Sequence, residues 1–501
     1  MNTFFLYGRM LLMMIINLYT VRLLLQGLGV DDYGIYNVVG SIVAFSSFLT
    51  SSLTAASNRF FAREIVKNDK KSFNNCFCLN VTAFGAMMLL GLLLLETVGL
   101  WYVNVKMTIP ADRLFAANVI YQFSIFSLIL SFIQIPYNAL VIIHEKMSVF
   151  AYIGIAEAIL RLLIAVIIVI AIGDRLILFG ALTFAVSIIS TLIYYIYCRR
   201  NFEESRYHWH WNYNEFKEIG SFTGLYFFGS MSFIVKSQGL NLLINAFFAP
   251  AVNAARAIAV QVEGAILKFS DGYFTASKPQ LYKAYSNGEY EGLNRLLMRT
   301  TIIGALAASV LSFPVVFNSE LLLSTWLAIV PDKAVEFLQL IIWDSLINMI
   351  SNPVILVILA TGKQSLYQSL EFLFRFLTIP FSYILLVNGA EPEMTVIVCI
   401  VLSIAALLMR SIILKRNFPQ FDIWQYFTIV NKMSLFSLAF YFGVTLIGKD
   451  TMGAWTYFFM TGALTLVVLP IAYYFLVMTR TDQKVIAHYV QKKLGKNKQN
   501  S

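Results

Sequence analysis

Of 501 residues, 59% are hydrophobic and 13% charged, with a formal net charge of +10; soluble chains run nearer roughly 45–50% and 25%. Fourteen spanning helices of about 21 residues would absorb that apolar content, which excludes a soluble enzyme with one anchor, a disordered chain and a disulfide-stapled one. No polar stretch is long enough for a basic nucleic-acid-binding domain, so no nucleic-acid partner is expected and the charge should follow membrane topology.

Apolar runs between polar breaks, all but one of them of 18 or more residues, predict fourteen spans. In chain order they are 4–28, 35–57, 75–103, 114–142, 150–172, 176–197, 219–247, 252–277, 296–317, 334–360, 366–387, 394–414, 433–448 and 455–478. The thirteenth is short and the eighth unusually polar. No small-residue cleavage site follows the first run, which therefore reads as a span and not as a signal peptide. Cys76, Cys78, Cys198 and Cys399 are too few for a secreted framework and are not spaced as zinc ligands, so they read as packing residues.

Lysine and arginine in the loops set the orientation. With the N-terminus inside, the cytoplasmic loops and tail carry 23 of them and the outer loops 5. Both termini are therefore expected in the cytoplasm. Thr54-Ala55-Ala56-Ser57 closes the second span and Phe274-Thr275-Ala276-Ser277 the eighth, at an offset of 220 residues. Six spans separate them, so the two halves would insert the same way up, as a parallel repeat with a transport site between halves.

Leu28-Gly29, Tyr33-Gly34-Ile35-Tyr36, Ala56 and Arg59-Phe60-Phe61-Ala62-Arg63-Glu64 resemble the opening helical pair of polysaccharide transporters. Ala276-Ser277-Lys278-Pro279-Gln280, Lys283-Ala284-Tyr285, Thr325-Trp326-Leu327 and Thr361-Gly362-Lys363 look like later landmarks of the same family. The chain thus resembles the Wzx-type O-antigen and capsule flippases, in the superfamily that also holds lipid II flippases and MATE drug exporters. The resemblance implies an all-α polytopic fold with two six-helix lobes in a MATE-like V shape and two extra C-terminal helices. The corresponding domains would be an N-lobe at 1–198, a cytoplasmic linker at 199–218, a C-lobe at 219–414, spans 13 and 14 at 415–478 and a basic tail at 479–501. It also implies a bacterial inner-membrane location and an undecaprenyl-diphosphate-linked oligosaccharide as substrate. Membrane lipids, a polysaccharide polymerase and chain-length machinery would be its partners.

Nine basic residues remain inside the predicted spans: Arg9, Arg22, Arg161, Lys236, Arg256, Lys268, Arg299, Arg375 and Arg410. Each costs at least about 2.5–3.5 kcal/mol at a helix centre unless it finds a partner, water or the interface. Glu157/Arg161 and Glu371/Arg375 have i,i+4 spacing in the favourable order, and Arg299 and Arg410 lie near enough to cytoplasmic ends to snorkel. Arg9, Arg22, Lys236, Arg256 and Lys268 are left as candidates for a cationic cavity that would hold a diphosphate.

The eighth span is the most informative. With Arg256 at zero on a helical wheel, Glu263 falls at about −20°, Asp271 about 60°, Lys268 about 120° and Gln261 about 140°. Ile258, Val262, Ala265, Ile266, Phe269 and Tyr273 take the other side. One face is ionic, as a helix lining a wet cavity would be, or as an internal ladder of ion pairs would be. Glu263 and Asp271 are the candidate ion-coupling carboxylates. In the seventh span Lys236 lies nearly opposite a stripe of Gln238, Asn241 and Asn245, so one of the two sides is expected to make interhelical hydrogen bonds.

Gly443 to Asp450 nearly spells a phosphate-binding loop, but Asp450 stands where Ser or Thr must reach magnesium and no strand precedes it. ATP is not expected as an energy source, and neither a metal nor any cofactor is expected. His208-Trp209-His210-Trp211 in the linker fits an aromatic interface belt better than a metal site. A transporter is the expectation. Its rivals are a MATE-like cation or drug exporter, which would need acidic residues within the first two spans, and a membrane glycosyltransferase or polymerase, which would need a large outer catalytic loop.

Overall fold

The computed structural model describes residues 2–45, 47–67, 69–144, 146–363, 365–447, 452–478 and 483. Among them there is no strand. The expected basic tail, Gln483 excepted, and the end of the near-miss phosphate loop from Gly448 to Asp450 lie outside the described residues.

The helices are α1 (Asn2–Phe45), α2 (Ser47–Lys67), α3 (Lys70–Leu94), α4 (Leu100–Val105), α5 (Leu114–Ile143), α6 (Met147–Ile170), α7 (Arg175–Asn201) and α8 (Tyr213–Phe247). They continue with α9 (Pro250–Ser286), α10 (Tyr290–Phe317), α11 (Ser319–Trp326), α12 (Ala334–Ala360), α13 (Ser365–Val387), α14 (Met394–Asn417), α15 (Ile423–Thr445) and α16 (Ala454–Ala472). Among the described residues, eleven helical stretches are long and apolar enough to cross a membrane. The chain is a multi-pass membrane protein.

Two predicted breaks take unexpected forms. The first span and the start of the second share α1, which is broken at Gly29, with φ 81° and ψ 174°; glycine alone enters that region without strain. The rest of the second span lies on α2. The eighth span runs on as α9 to Ser286, through Pro279. A turn of π-helix over Leu95–Gly99 joins α3 to α4. Tyr121, buried, donates its hydroxyl at 2.7 Å to Leu95 O, which also accepts the Leu100 amide.

The chain packs as two compact units. The first holds the described residues up to Ile258, with Ser324–Ala334 and Arg375–Thr395. Here α5 packs on α7, α1 on α6, and α8 on both α1 and α2. Small residues allow the closest approaches: a Cβ on Gly34 would sit 2.0 Å from the carbonyl oxygen of Pro250 at the start of α9. Gly34 belongs to the Tyr33–Tyr36 landmark, and this backbone contact explains why no side chain fits there. At one end of the unit, Arg113 forks two carboxylates, donating to Asp32 at 2.5 and 2.8 Å and to Asp174 at 2.9 and 3.2 Å. Asp174 also caps α7, accepting from the amides of Leu176 and Ile177.

At the opposite end of that unit the linker is strapped down. Asn74 donates to the carbonyls of Glu204 and Arg206 at 2.6 and 2.8 Å. Lys70 pairs with Glu203 at 2.7 Å, and His144 meets Glu204 at 2.5 Å. His208 of the His-Trp-His-Trp stretch lies 3.3 Å from Cys78 Sγ and 3.0 Å from Asn75 Oδ1.

The second unit holds Ala259–Leu323, Val335–Phe374 and the described residues from Val396 on. In it α10 packs on α15 and α16. Phe313, Phe317, Trp343, Phe440 and Tyr441 interlock at centroid separations of 5.5 to 6.1 Å. Aromatic contacts of this kind supply packing where no hydrophobic drive operates between helices in lipid.

Candidate functional site: charged groups within the helices

Arg9 and Asp271 sit on α1 and α9, but their side chains lie outside the described ones. Arg22 donates to the carbonyl of Thr325 at 3.4 Å, and next to it Trp326 donates to Leu18 O at 2.8 Å. These two bonds fasten the end of α11 to α1, so Arg22 has a positioning task. Lys236 is half-buried on α8.

The Asn stripe of α8 makes the interhelical bonds. Asn241 donates to Ser41 Oγ and to Asn37 O, and it accepts from Asn253 at 2.7 and 2.8 Å. Asn245 accepts from the Thr108 amide at 3.2 Å. Both asparagines are buried, so their amides need partners. The Asn stripe therefore belongs to packing.

On α9, Arg256 is 9% exposed and has Ala254, Ala255, Ile258 and Ala259 fully buried around it in sequence. Glu263, half-buried, accepts a hydrogen bond from Ser345 of α12. Lys268 is exposed. The candidates thus occupy graded environments along one continuous helix, from buried guanidinium to open ammonium.

The sequence points to a snorkelling Arg410 and to Glu371 tied to Arg375; the structure corrects the first and adds to the second. Arg410 of α14 is 3% exposed at its side chain and grips Glu371 of α13, which is 7% exposed, through Nε at 3.0 Å and Nη2 at 2.7 Å. The residue lies two turns before the end of its helix, and its guanidinium turns inward to Glu371 instead of outward along the helix. Its third nitrogen donates to Ser351 Oγ at 2.5 Å and to Asn348 Oδ1 at 3.4 Å. Asn348 in turn donates to Ser403 Oγ at 3.1 Å, and Ser403 donates to Asp344 at 2.5 Å.

A polar chain therefore runs Glu371–Arg410–Asn348–Ser403–Asp344 through the second unit. The signal for it was available: Asp344, Asn348 and Ser351 share a helix face at i, i+4, i+7, and Ser403 and Arg410 at i, i+7. A carboxylate, an amide and a hydroxyl on one stripe of a membrane helix need polar partners across a helix interface.

These features define a class: an all-helical, multi-pass membrane protein with ion pairs and polar chains inside its helices. No family model and no curated protein matches the chain. Among solved structures it is similar to the lipid II flippase MurJ in an inward closed conformation, with a TM-score of 0.68 and 12% identity over 93% of this chain and 98% of that one. It is also similar to an inward-facing multidrug resistance MATE family transporter of the MOP superfamily, with a TM-score of 0.64 and 12% identity over 81% of this chain and 95% of that one. A third likeness is to the MATE multidrug transporter DinF-BH, with a TM-score of 0.54 and 14% identity over 82% of this chain and 94% of that one. The chain has the fold of these transporters.

Proposed function

We propose that the protein is a flippase that carries an undecaprenyl-diphosphate-linked oligosaccharide from the cytoplasmic to the outer leaflet by alternating access, for O-antigen, capsule or exopolysaccharide synthesis. The observation that carries the reading is the likeness to a lipid II flippase over 93% of the chain, joined to cationic side chains on the long helices α8 and α9. A diphosphate needs such groups: guanidinium binds phosphate oxygens in a fork, and ammonium supplies a point charge. Arg256 and Lys268 are the leading contacts, with Arg9, Arg22 and Lys236 as further members. Both termini would lie in the cytoplasm of a bacterium, with the protein in its inner membrane.

Directional movement would draw on an ion gradient through Glu263 or Asp271. Desolvation raises a carboxyl's proton affinity and neighbouring cations lower it, so a change in either term between conformations would bind and release a proton. In vesicles with an imposed pH gradient, Asp271→Asn should lose gradient-stimulated flipping yet still bind the lipid-linked sugar; unchanged stimulation removes Asp271 from the mechanism.

The central test uses purified protein in vesicles with fluorescent lipid-diphosphate oligosaccharide. Arg256→Ala and Lys268→Ala should reach the membrane at normal levels and flip roughly ten-fold or more slowly, the worth of a charge-assisted hydrogen bond. Arg256→Lys should recover part of the rate if charge alone matters. Loss of both alanine variants from the membrane would assign the two residues to folding. The rival reading, a drug exporter, is favoured by the likeness to MATE transporters. It requires export of cationic compounds, with these two substitutions neutral or beneficial.

A further inference from the structure

In the second unit, α9 and α10 meet in a tight hairpin turned at Asn287-Gly288, where Gly288 has φ 72°. Between their facing ends lies an open cavity of about 550 Å³, within the range of roughly 300–1,000 Å³ typical of small-molecule sites. Three bases line it, Lys283 from α9 and Arg295 and Arg299 from α10, against one carboxylate, Glu289. Ala284 and Leu296 give it an apolar patch. Lys283 and Arg295 are exposed, and among the described residues neither forms an ion pair. Arg295 and Arg299 stand four residues apart on one helix face, where like charges repel. An anion held between them would turn that repulsion into attraction.

The depth of the cavity is marked by aromatic side chains. Tyr285 and Tyr290 flank the hairpin and both pack on Phe418, with centroids 6.2 and 5.4 Å away. Asn294, beside Arg295, accepts from the Asp422 amide at 3.4 Å and donates to Gln420 O at 2.6 Å. Two residues beyond Asp422, Trp424 is 81% exposed. Tyrosine and tryptophan concentrate at the level of lipid headgroups, which puts the bases where phosphates of the bilayer lie.

We propose that this α9–α10 cavity binds the phosphate headgroup of an anionic phospholipid. Lys283, Arg295 and Arg299 hold the phosphate oxygens, and Ala284 and Leu296 meet the glycerol ester end. Basic pockets between spanning helices recognise acidic lipid headgroups in this way. An inorganic phosphate would satisfy the bases but not the apolar patch. The site is separate from the transport candidates and rests only on the chain being a membrane protein, so it stands or falls independently of the flippase reading.

The test is native mass spectrometry of the full chain, delipidated in neutral detergent and titrated with phosphatidylglycerol, phosphatidylcholine or inorganic phosphate. Phosphatidylglycerol should be retained in preference to phosphatidylcholine, and inorganic phosphate, lacking the apolar end, should displace it only at a large excess. Lys283→Gln and Arg295→Gln should each weaken retention about five-fold, since a base at an anionic surface contributes ~1 kcal/mol. Arg295→Lys should keep most of the binding, and Glu289→Gln should strengthen it, so the proposal does not hang on one variant's folding. Equal retention of the two lipids, displacement of phosphatidylglycerol by phosphate at equal concentration, or retention unchanged in both Lys283→Gln and Arg295→Gln would each overturn it.

Discussion

Removing Arg410 should expose how much the buried polar chain of the second unit contributes to stability. The Arg410–Glu371 pair is bidentate, at 2.7 and 3.0 Å, with both side chains almost wholly buried, so neither water nor salt screens it as it would a surface pair. Arg410→Met deletes the guanidinium while keeping most of the side-chain volume, and leaves Glu371 without this partner. Breaking a buried pair from one side costs roughly 3–5 kcal/mol. Glu371→Gln, which keeps the shape but leaves Arg410 charged, should cost a similar amount. The double variant Arg410→Met/Glu371→Met removes both charges of the pair and should regain most of the loss, because apolar replacements of buried pairs are often neutral. Thermal unfolding in detergent, followed by size-exclusion fluorescence, reads all three. A single-variant cost below about 1 kcal/mol, or a double variant no better than the singles, would refute the claim that this pair is a desolvated tie.

Gly34→Ala should sharply lower the amount of folded protein, because its Cβ would lie 2.0 Å from a backbone oxygen that cannot swing away; Gly40→Ala, with nothing within 4 Å, is the control in a membrane-level blot. Reporter fusions at Lys67 and Phe202 should read cytoplasmic and those at Asp31 and Ala390 external, and one inverted site within the first six spans would break the parallel-repeat expectation. Asp174→Ala should cost about 1 kcal/mol or more, as loss of an N-cap does. Burial works to raise the Asp174 carboxyl, but the Ile177 amide and Arg113 outweigh it and hold the group below the usual carboxylate range. A lowered folded pKa gives stability that is complete above the unfolded value of about 3.9 and is lost as pH falls through the folded one. The difference between wild type and Asp174→Asn in thermal unfolding should therefore be flat from pH 7 to 5 and shrink in stronger acid; a difference that grows on acidification would contradict this sign.

The helices were largely legible because a spanning helix must be apolar over its whole length, a demand that most of the predicted runs met locally; among the described residues eleven stretches meet it. The boundary between the first two spans was not, since a residue at positive φ can bend a helix without a polar loop, as Gly29 does. Charge partners were the harder matter. Glu371 finds Arg375 within its own helix on paper, but its bidentate partner, Arg410, is 39 residues away, and only tertiary packing brings α13 to α14. The polar stripe of α8 was visible in the sequence, yet its partners Ser41, Asn37 and Asn253, which lie opposite Asn241, were not. Composition and period reveal what a helix must hide or satisfy. They do not reveal with whom.

The strapped linker has a mechanical consequence. A chain of some ten residues between Phe202 and Asn212 would, if free, behave as a tether with an end-to-end span of roughly 5–6 Å times the square root of its length. Here its backbone carbonyls at Glu204 and Arg206 are bonded to Asn74, and its side chains at Glu203, Glu204 and His208 are held by Lys70, His144 and Cys78. Little slack is left. A rearrangement that needs extra reach cannot draw it from this segment without breaking several bonds at once, so within the first unit the segment acts as a fixed mount and not as a hinge.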